Sequence, residues 1–108
     1  MITLYRAQLG KPGVTGIDVT VRACIMGASP TWKYVCGLKN GSITQEEYEH
    51  WYRNQLDTYA DEVVAWVCRQ HKDVITFLCF CKDGAFCHTY ILIDWLVKRR
   101  PDLFVSGV

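Results

Sequence analysis

One apolar run, V-I-T-F-L-C-F-C at positions 74–81, constrains the fold more than any other part of the chain. Apart from Thr76 it is apolar on both alternating faces, a pattern typical of a strand in the middle of a sheet that is covered on both sides. The run is far shorter than the roughly 20 residues that cross a bilayer. The sequence therefore predicts a buried central strand and no membrane segment.

Helical patterns lie on both sides of this run. Capping boxes that begin at Thr44 and at Thr58 predict helices over residues 45–56 and 60–71. A third helix is predicted over about residues 87–99, because the stretch is rich in apolar residues and ends in a cluster of cations. All three helices carry apolar residues that can cover a sheet.

Shorter strand signals complete the pattern. Residues 2–6 have strand composition, residues 17–22 alternate apolar with polar side chains, and residues 103–108 can add a last strand. Residues 27–42 show no sustained period and predict an ordered loop, with room for a short turn of helix. We therefore expect one domain, 1–108, of the α/β class: a small three-layer Rossmann-like sheet, mostly parallel, with helices on both faces.

Composition narrows the possible partners. The formal net charge is +1, which gives no reason to expect nucleic acid as the partner. Half of the chain is apolar, so six cysteines are not needed as a disulfide framework, and we expect reduced thiols. The N-terminus shows no signal-peptide pattern, so we expect a soluble protein of the cytoplasm.

Three cations follow the predicted strands. In open α/β sheets, ligands bind beyond the carboxyl ends of the strands, where Arg6, Arg22 and Lys82 are expected. The last helix begins near Cys87 and His88, and its free N–H groups attract anions. The sequence predicts an anion-binding pocket at this edge.

The predicted loop adds two further ligand-binding candidates. Trp32 can stack on a base, and Lys33 beside it can contact a phosphate. Together with the three cations and the Cys87–His88 pair, these residues predict a pocket for a small, anionic, nucleotide-like ligand. We expect no cofactor. A small chain that buries such a ligand can require a homo-oligomer.

Two other interpretations of the cysteines stay open. Cys79, Cys81, Cys87 and His88 are ligand types of zinc, but the spacing C-x-C-x5-C-H is not that of a zinc knuckle, so we expect no metal. A thiol at a helix N-terminus can also be a nucleophile, with an adjacent histidine as acid or base. The alternative function is then an enzyme that uses Cys87 and His88 on a nucleotide or nucleic acid.

The stretches ITLYRAQL, GIDVTVR, SPTWKY, ITQEEYEHWYRNQL and FLCFCKDGAFCHTYILIDWL resemble, in order, domain of unknown function 488 of bacteria and phages. Two positions depart from that family, which has an acidic residue where Cys81 stands and an arginine where Thr89 stands. The double cysteine is closer to the related domain of unknown function 4326. The resemblance implies a compact α/β fold with a pocket around the Cys-His helix start, and implies no mechanism. Short members are similar to phage proteins, which suggests sequestration of a nucleotide immune signal in the host cytoplasm.

Overall fold

Four parallel strands and four α-helices make up the protein, in a computed structural model that describes residues 1–108. In chain order the elements are β1 (Ile2–Gln8), β2 (Ile17–Asp18), a 3-10 turn (Val21–Ala23), α1 (Trp32–Asn40), α2 (Gln45–Thr58), α3 (Ala60–Cys68), β3 (Val74–Cys79), α4 (His88–Arg99) and β4 (Phe104–Ser106).

The strands lie in the order β2-β3-β1-β4, and every neighbouring pair is parallel. β1 and β3 are the interior strands, paired in register from Thr3 opposite Val74 to Gln8 opposite Cys79. The predicted α/β class and parallel sheet are confirmed, and so is the interior position of the apolar run. Because the strands are parallel, the ends of β1, β2 and β3 lie at one edge of the sheet.

One face of β1 and β3 carries the core. The period of two places Leu4 and Arg6 of β1 beside Ile75 and Phe77 of β3, and all four residues are buried. The buried sides of α2, α3 and α4 belong to the same apolar cluster. Arg6 is therefore a charged residue on a core-facing position, which makes its contacts informative.

The predicted strand over residues 17–22 is wrong beyond Asp18. The Asp18 carboxylate accepts a hydrogen bond from the backbone N–H of Thr20 at 2.8 Å, which turns the chain away from the sheet. Val19 still donates to the carbonyl of Leu78 at 3.1 Å, and the chain then enters the 3-10 turn that contains Arg22. The local side-chain contact overrides the alternating pattern.

The segment 27–42, predicted as an ordered loop with room for a short turn of helix, contains the nine-residue helix α1. This helix ends at Gly41, which adopts a φ of 83° that a left-handed C-terminal cap requires. It is held to α2 by the rings of Tyr34 and Trp51, which stack with centroids 3.9 Å apart. Tertiary packing stabilises a segment whose own periodicity is weak.

The two capping-box predictions have different outcomes. At Thr44 both hydrogen bonds of the box with Glu47 are present, each 3.1 Å long. Thr58 instead lies inside α2 and donates its hydroxyl to the carbonyl of Asn54 at 2.8 Å. The junction with α3 falls at Tyr59, which has no side-chain cap. None of the helices has the length and apolar character needed to cross a bilayer.

Candidate functional site

A cavity of about 460 Å³ lies beyond the carboxyl ends of β2 and β3, between α1 and the start of α4. We name it the α1 cavity. Its lining consists of Thr20, Val21, Arg22, Pro30, Trp32, Val35, Leu38, Lys39, Tyr48, Cys79, Phe80, Cys81, Phe86, Cys87 and His88. The cavity is thus mainly apolar, with two cations and a thiol–imidazole group among its polar members.

Three sulfurs meet at one side of this cavity. The Sγ atoms of Cys79, Cys81 and Cys87 all lie within 4.8 Å of one another, and we name these residues the cysteine cluster. Cys79 is the last residue of β3 and Cys81 follows it by two residues, with their sulfurs 3.7 Å apart. Cys87 is the residue that precedes α4 and has extended backbone angles. The chain between residues 81 and 87 returns the third sulfur to the first two.

His88 faces the cysteine cluster with one ring nitrogen and a backbone carbonyl with the other. Its Nε2 lies 2.7 Å from the carbonyl oxygen of Val19. A carbonyl can only accept, so Nε2 carries a proton. Nδ1 then points at the sulfurs of Cys79 and Cys87, each 3.8 Å away. The imidazole ring is buried, which leaves these sulfurs as the contacts of Nδ1.

Arg6 reaches the cluster from behind. Its side chain is 1% exposed, and it donates to Thr89 Oγ1 at 3.1 Å, to the Cys81 carbonyl at 2.8 Å and to the Asp83 carboxylate. Its guanidinium also lies 3.8 Å from Cys87 Sγ. Thr89 Oγ1 donates in turn to Cys87 Sγ at 3.2 Å. One buried cation and one hydroxyl therefore support the sulfur of Cys87.

These contacts shift the titration of the cluster. The pKa of Cys87 is lowered well below its ordinary value, because the thiols of Cys79 and Cys81 and the His88 ring all favour its thiolate. The Cys79 pKa is raised, since its thiol is held as a donor toward Cys81 and Cys87 and is buried. Burial lowers the pKa of His88, but contacts with the sulfurs of Cys79 and Cys87 outweigh it and raise the pKa to about 9. Negative charge in the cluster therefore concentrates on Cys87.

The structure brings together only part of the predicted ligand-binding set. Arg22, Trp32, Cys87 and His88 line the α1 cavity. Arg6 lies on the far side of the cysteine cluster from the cavity, and its N–H groups donate to other groups of the protein.

The two predicted lysines are not among the lining residues of the cavity. Lys33 lies over the ring of Tyr34, with its Nζ 5.6 Å from the ring centroid. Lys82 is exposed in the turn after β3.

Two lining residues were not predicted from the sequence. Lys39 stands two helical turns after Trp32, so the two share a face of α1, a signal visible only once the segment is known to be a helix. Thr20 is 4% exposed, and its hydroxyl is the one buried side-chain polar atom without a hydrogen-bond partner.

Residues 17–100 match the family model of DUF488-N3a, which is described as the active DUF488-N3 subclade. The matched range contains β2, β3, the cysteine cluster and every residue that lines the α1 cavity. Comparison with curated proteins and with solved structures finds no match.

Proposed function

The chain belongs to the DUF488-N3a family, and we propose that it binds a small, anionic, nucleotide-like ligand in the α1 cavity. The observation that carries the proposal is one cavity that presents the cations Arg22 and Lys39 together with the exposed ring of Trp32. A ligand with phosphate oxygens supplies acceptors for both cations. The cavity volume is within the range of about 300–1,000 Å³ typical of small-molecule sites.

The apolar part of the cavity fits the other end of such a ligand. Trp32 is 55% exposed, which is unusual for a residue that so often packs in a core. Its ring stands at the cavity lining together with Val35 and Leu38 of the same helix. A base that stacks on Trp32 covers this exposed ring and gains about 1–3 kcal/mol. The cavity thus offers cations for one end of a nucleotide and an aromatic face for the other.

Sequestration is the biological role we propose for this binding. A protein of 108 residues that holds a nucleotide without changing it acts by lowering the free concentration of that nucleotide. The resemblance to short phage proteins supports three parts of this proposal: an immune signal as the ligand, a phage origin and a location in the host cytoplasm. A homo-oligomer is part of the same proposal, because one small chain leaves Trp32 open to solvent.

The test is direct binding of a panel of mononucleotides, cyclic nucleotides and ADP-ribose derivatives, measured by calorimetry and by native mass spectrometry. Arg22→Ala and Lys39→Ala are each expected to weaken binding about tenfold or more, since a charge-assisted hydrogen bond contributes about 1.5–3 kcal/mol. Lys33→Ala is the matched control, because Lys33 lies on α1 outside the cavity lining. An equal loss in all three variants, or no binding by the unaltered protein, contradicts the proposal.

A second candidate function is an enzyme that acts on the same ligand through Cys87 and His88. It is favoured by the contacts of Cys87 Sγ, which lies at the start of α4 with Thr89, Arg6 and His88 around it. Cys87 also borders a second depression, between α2 and the 84–87 segment. Chromatography of the ligand after incubation separates the functions, because a binding protein returns the ligand intact.

A further inference from the structure

We infer that Cys79, Cys81 and Cys87, with His88 Nδ1, form a zinc site at the wall of the α1 cavity. The inference does not rest on the proposed nucleotide ligand, because it concerns three sulfurs within 4.8 Å of one another and a ring nitrogen 3.8 Å from two of them. It also departs from the expectation that the spacing C-x-C-x5-C-H holds no metal. The spacing differs from that of a zinc knuckle, but the fold brings the same ligand types together.

The distances agree with tetrahedral coordination. With zinc–sulfur bonds of about 2.3 Å, neighbouring sulfurs of a tetrahedral site lie about 3.8 Å apart, and a nitrogen ligand lies about 3.6 Å from each sulfur. The sulfurs of Cys79 and Cys81 are 3.7 Å apart. His88 Nδ1 is 3.8 Å from the sulfur of Cys79 and 3.8 Å from that of Cys87. Each of these separations is within about 0.2 Å of the tetrahedral value.

The groups around the four ligands match the surroundings of a metal site. A histidine that binds zinc donates its other ring N–H to a carbonyl or carboxylate, as His88 Nε2 does to Val19 at 2.7 Å. The Cys87 sulfur accepts from the hydroxyl of Thr89 at 3.2 Å, which orients it from outside the cluster. These contacts use Nε2 and direct His88 Nδ1 at the sulfurs, where a metal ion would replace its proton. That arrangement suits a metal ligand better than a paired core histidine.

The charges also balance. Three thiolates and a neutral imidazole around Zn²⁺ carry a net charge of −1, which is costly to bury without a counter-charge. The guanidinium of Arg6 lies 3.8 Å from Cys87 Sγ and is itself buried, so it supplies that charge. Soft thiolates with one imidazole select zinc over magnesium or calcium, which prefer oxygen ligands. Cys81 is partly exposed and lines the cavity, which gives the ion a route to the cluster.

A zinc site has a consequence for the choice between the two functions. Four protein ligands close the coordination sphere, as in structural sites. The Cys87 sulfur is then a metal ligand and no longer a free nucleophile. Zinc would also fasten the end of β3 to the start of α4 beside the ligand cavity. The inference therefore favours binding over thiol-dependent catalysis.

The experiment is metal analysis of the full chain, expressed with added zinc and purified with a phosphine reductant and no chelator. We expect about one zinc per chain by plasma mass spectrometry. After removal of the metal, Co²⁺ alone is expected to give the visible bands of a tetrahedral site and the near-ultraviolet sulfur-to-cobalt band. Such sites hold one metal per chain. The inference is overturned if the chain holds less than about a tenth of an equivalent of zinc and the cobalt spectrum lacks the sulfur band.

Variants distinguish this site from adventitious binding to thiols. Cys79→Ser and Cys81→Ser are each expected to lose the zinc or to lower its retention against a chelator by at least about tenfold, as removal of a ligand does. Cys24→Ser and Cys36→Ser are the controls, because both cysteines are exposed and lie outside the cluster. The inference is overturned if the zinc content falls in Cys24→Ser or Cys36→Ser and stays unchanged in Cys79→Ser and Cys81→Ser. Metal analysis of the unaltered chain decides the matter even where a cluster variant does not fold.

Discussion

Two arginines tie α4 to the rest of the molecule, one in the interior and one at the surface. Arg6 of β1 has a side chain 1% exposed and donates to groups on α4 and on the turn after β3. Arg53 of α2 is 32% exposed and bonds to the carboxylates of Glu49 and Asp94, each at 2.9 Å. An arginine side chain thus supports the cysteine cluster in the interior, and another forms ion pairs on the surface of α2 and α4.

The difference lies in what each environment demands. A buried guanidinium must have its donors satisfied, because water cannot replace a lost partner. A half-exposed one exchanges its ion pairs for water at little cost. We therefore expect the stability of the protein to depend strongly on the contacts of Arg6 and weakly on those of Arg53. The following predictions test that ranking.

The largest effect is expected for Arg6→Met, which keeps much of the side-chain volume but removes the charge and every donor. Removing one member of a buried charged network costs about 3–5 kcal/mol, because the partners stay behind without compensation. Urea unfolding measures the change in free energy. Arg6→Lys serves as the matched variant, since it keeps the charge and loses the fork of donors, and its loss should be smaller. A cost below about 1 kcal/mol for Arg6→Met would place Arg6 with surface arginines.

Thr89→Val is expected to cost about 1–3 kcal/mol, the value for a buried partner left unsatisfied. The valine fills the same space but neither accepts from Arg6 nor donates to the sulfur of Cys87. Thr58→Val is the matched control, because that exposed hydroxyl bonds only to its own helix, and its change should stay within about 0.5 kcal/mol. Equal effects of the two substitutions, measured by thermal unfolding, would show that the Arg6 network adds nothing.

The interior arginine also shows how far the sequence predicts this molecule. Periodicity predicts the class, the parallel sheet, the interior strand and the start of α4, since each follows from an apolar pattern of known period. Arg6 was expected in the ligand crevice because it stands at the end of the first strand signal. The strand in fact continues to Gln8, and the period of two then places Arg6 on the same buried face as Leu4.

The cluster itself illustrates the part that a sequence pattern leaves open. The alternation of a strand predicts that Cys79 and Cys81 point the same way, and their sulfurs are 3.7 Å apart although β3 ends at Cys79. The return of Cys87 to the same point depends on the path of the 81–87 turn, which no period specifies. Position 89 adds a second example. Thr89 stands where the resembled family has an arginine, and the nearby guanidinium comes instead from Arg6, far away in the chain.

A smaller effect is expected for Asp83→Asn, on the exposed side of the same network. The Asp83 side chain is 80% exposed although its partner Arg6 is buried. Water takes the place of the carboxylate, and Arg6 keeps its bonds to Thr89 and to the Cys81 carbonyl. We expect a loss of about 0–1 kcal/mol in urea unfolding. A loss as large as that of Arg6→Met would mean that the ion pair, and not the buried hydrogen bonds, makes Arg6 important.

The smallest effect is expected for Arg53→Met at the surface, about 0–1 kcal/mol near neutral pH. Burial raises the pKa of Asp94, but hydrogen bonds from Arg53 and Lys98 outweigh it and hold the pKa below its ordinary value. A carboxylate with a lowered pKa stabilises the fold above its unfolded pKa of about 3.9, and this contribution is lost as the pH falls through the folded value.

The difference between the unaltered protein and Arg53→Met should therefore shrink between about pH 5 and pH 2 and under added salt. Asp94→Asn is the matched variant, because it removes one of the two carboxylates paired with Arg53 and should reduce that dependence. Urea unfolding at the two pH values measures both changes. A difference that stays constant with pH, or one as large as that of Arg6→Met, would contradict the ranking, because it would mean that a half-exposed ion pair stabilises α4 as strongly as a buried network.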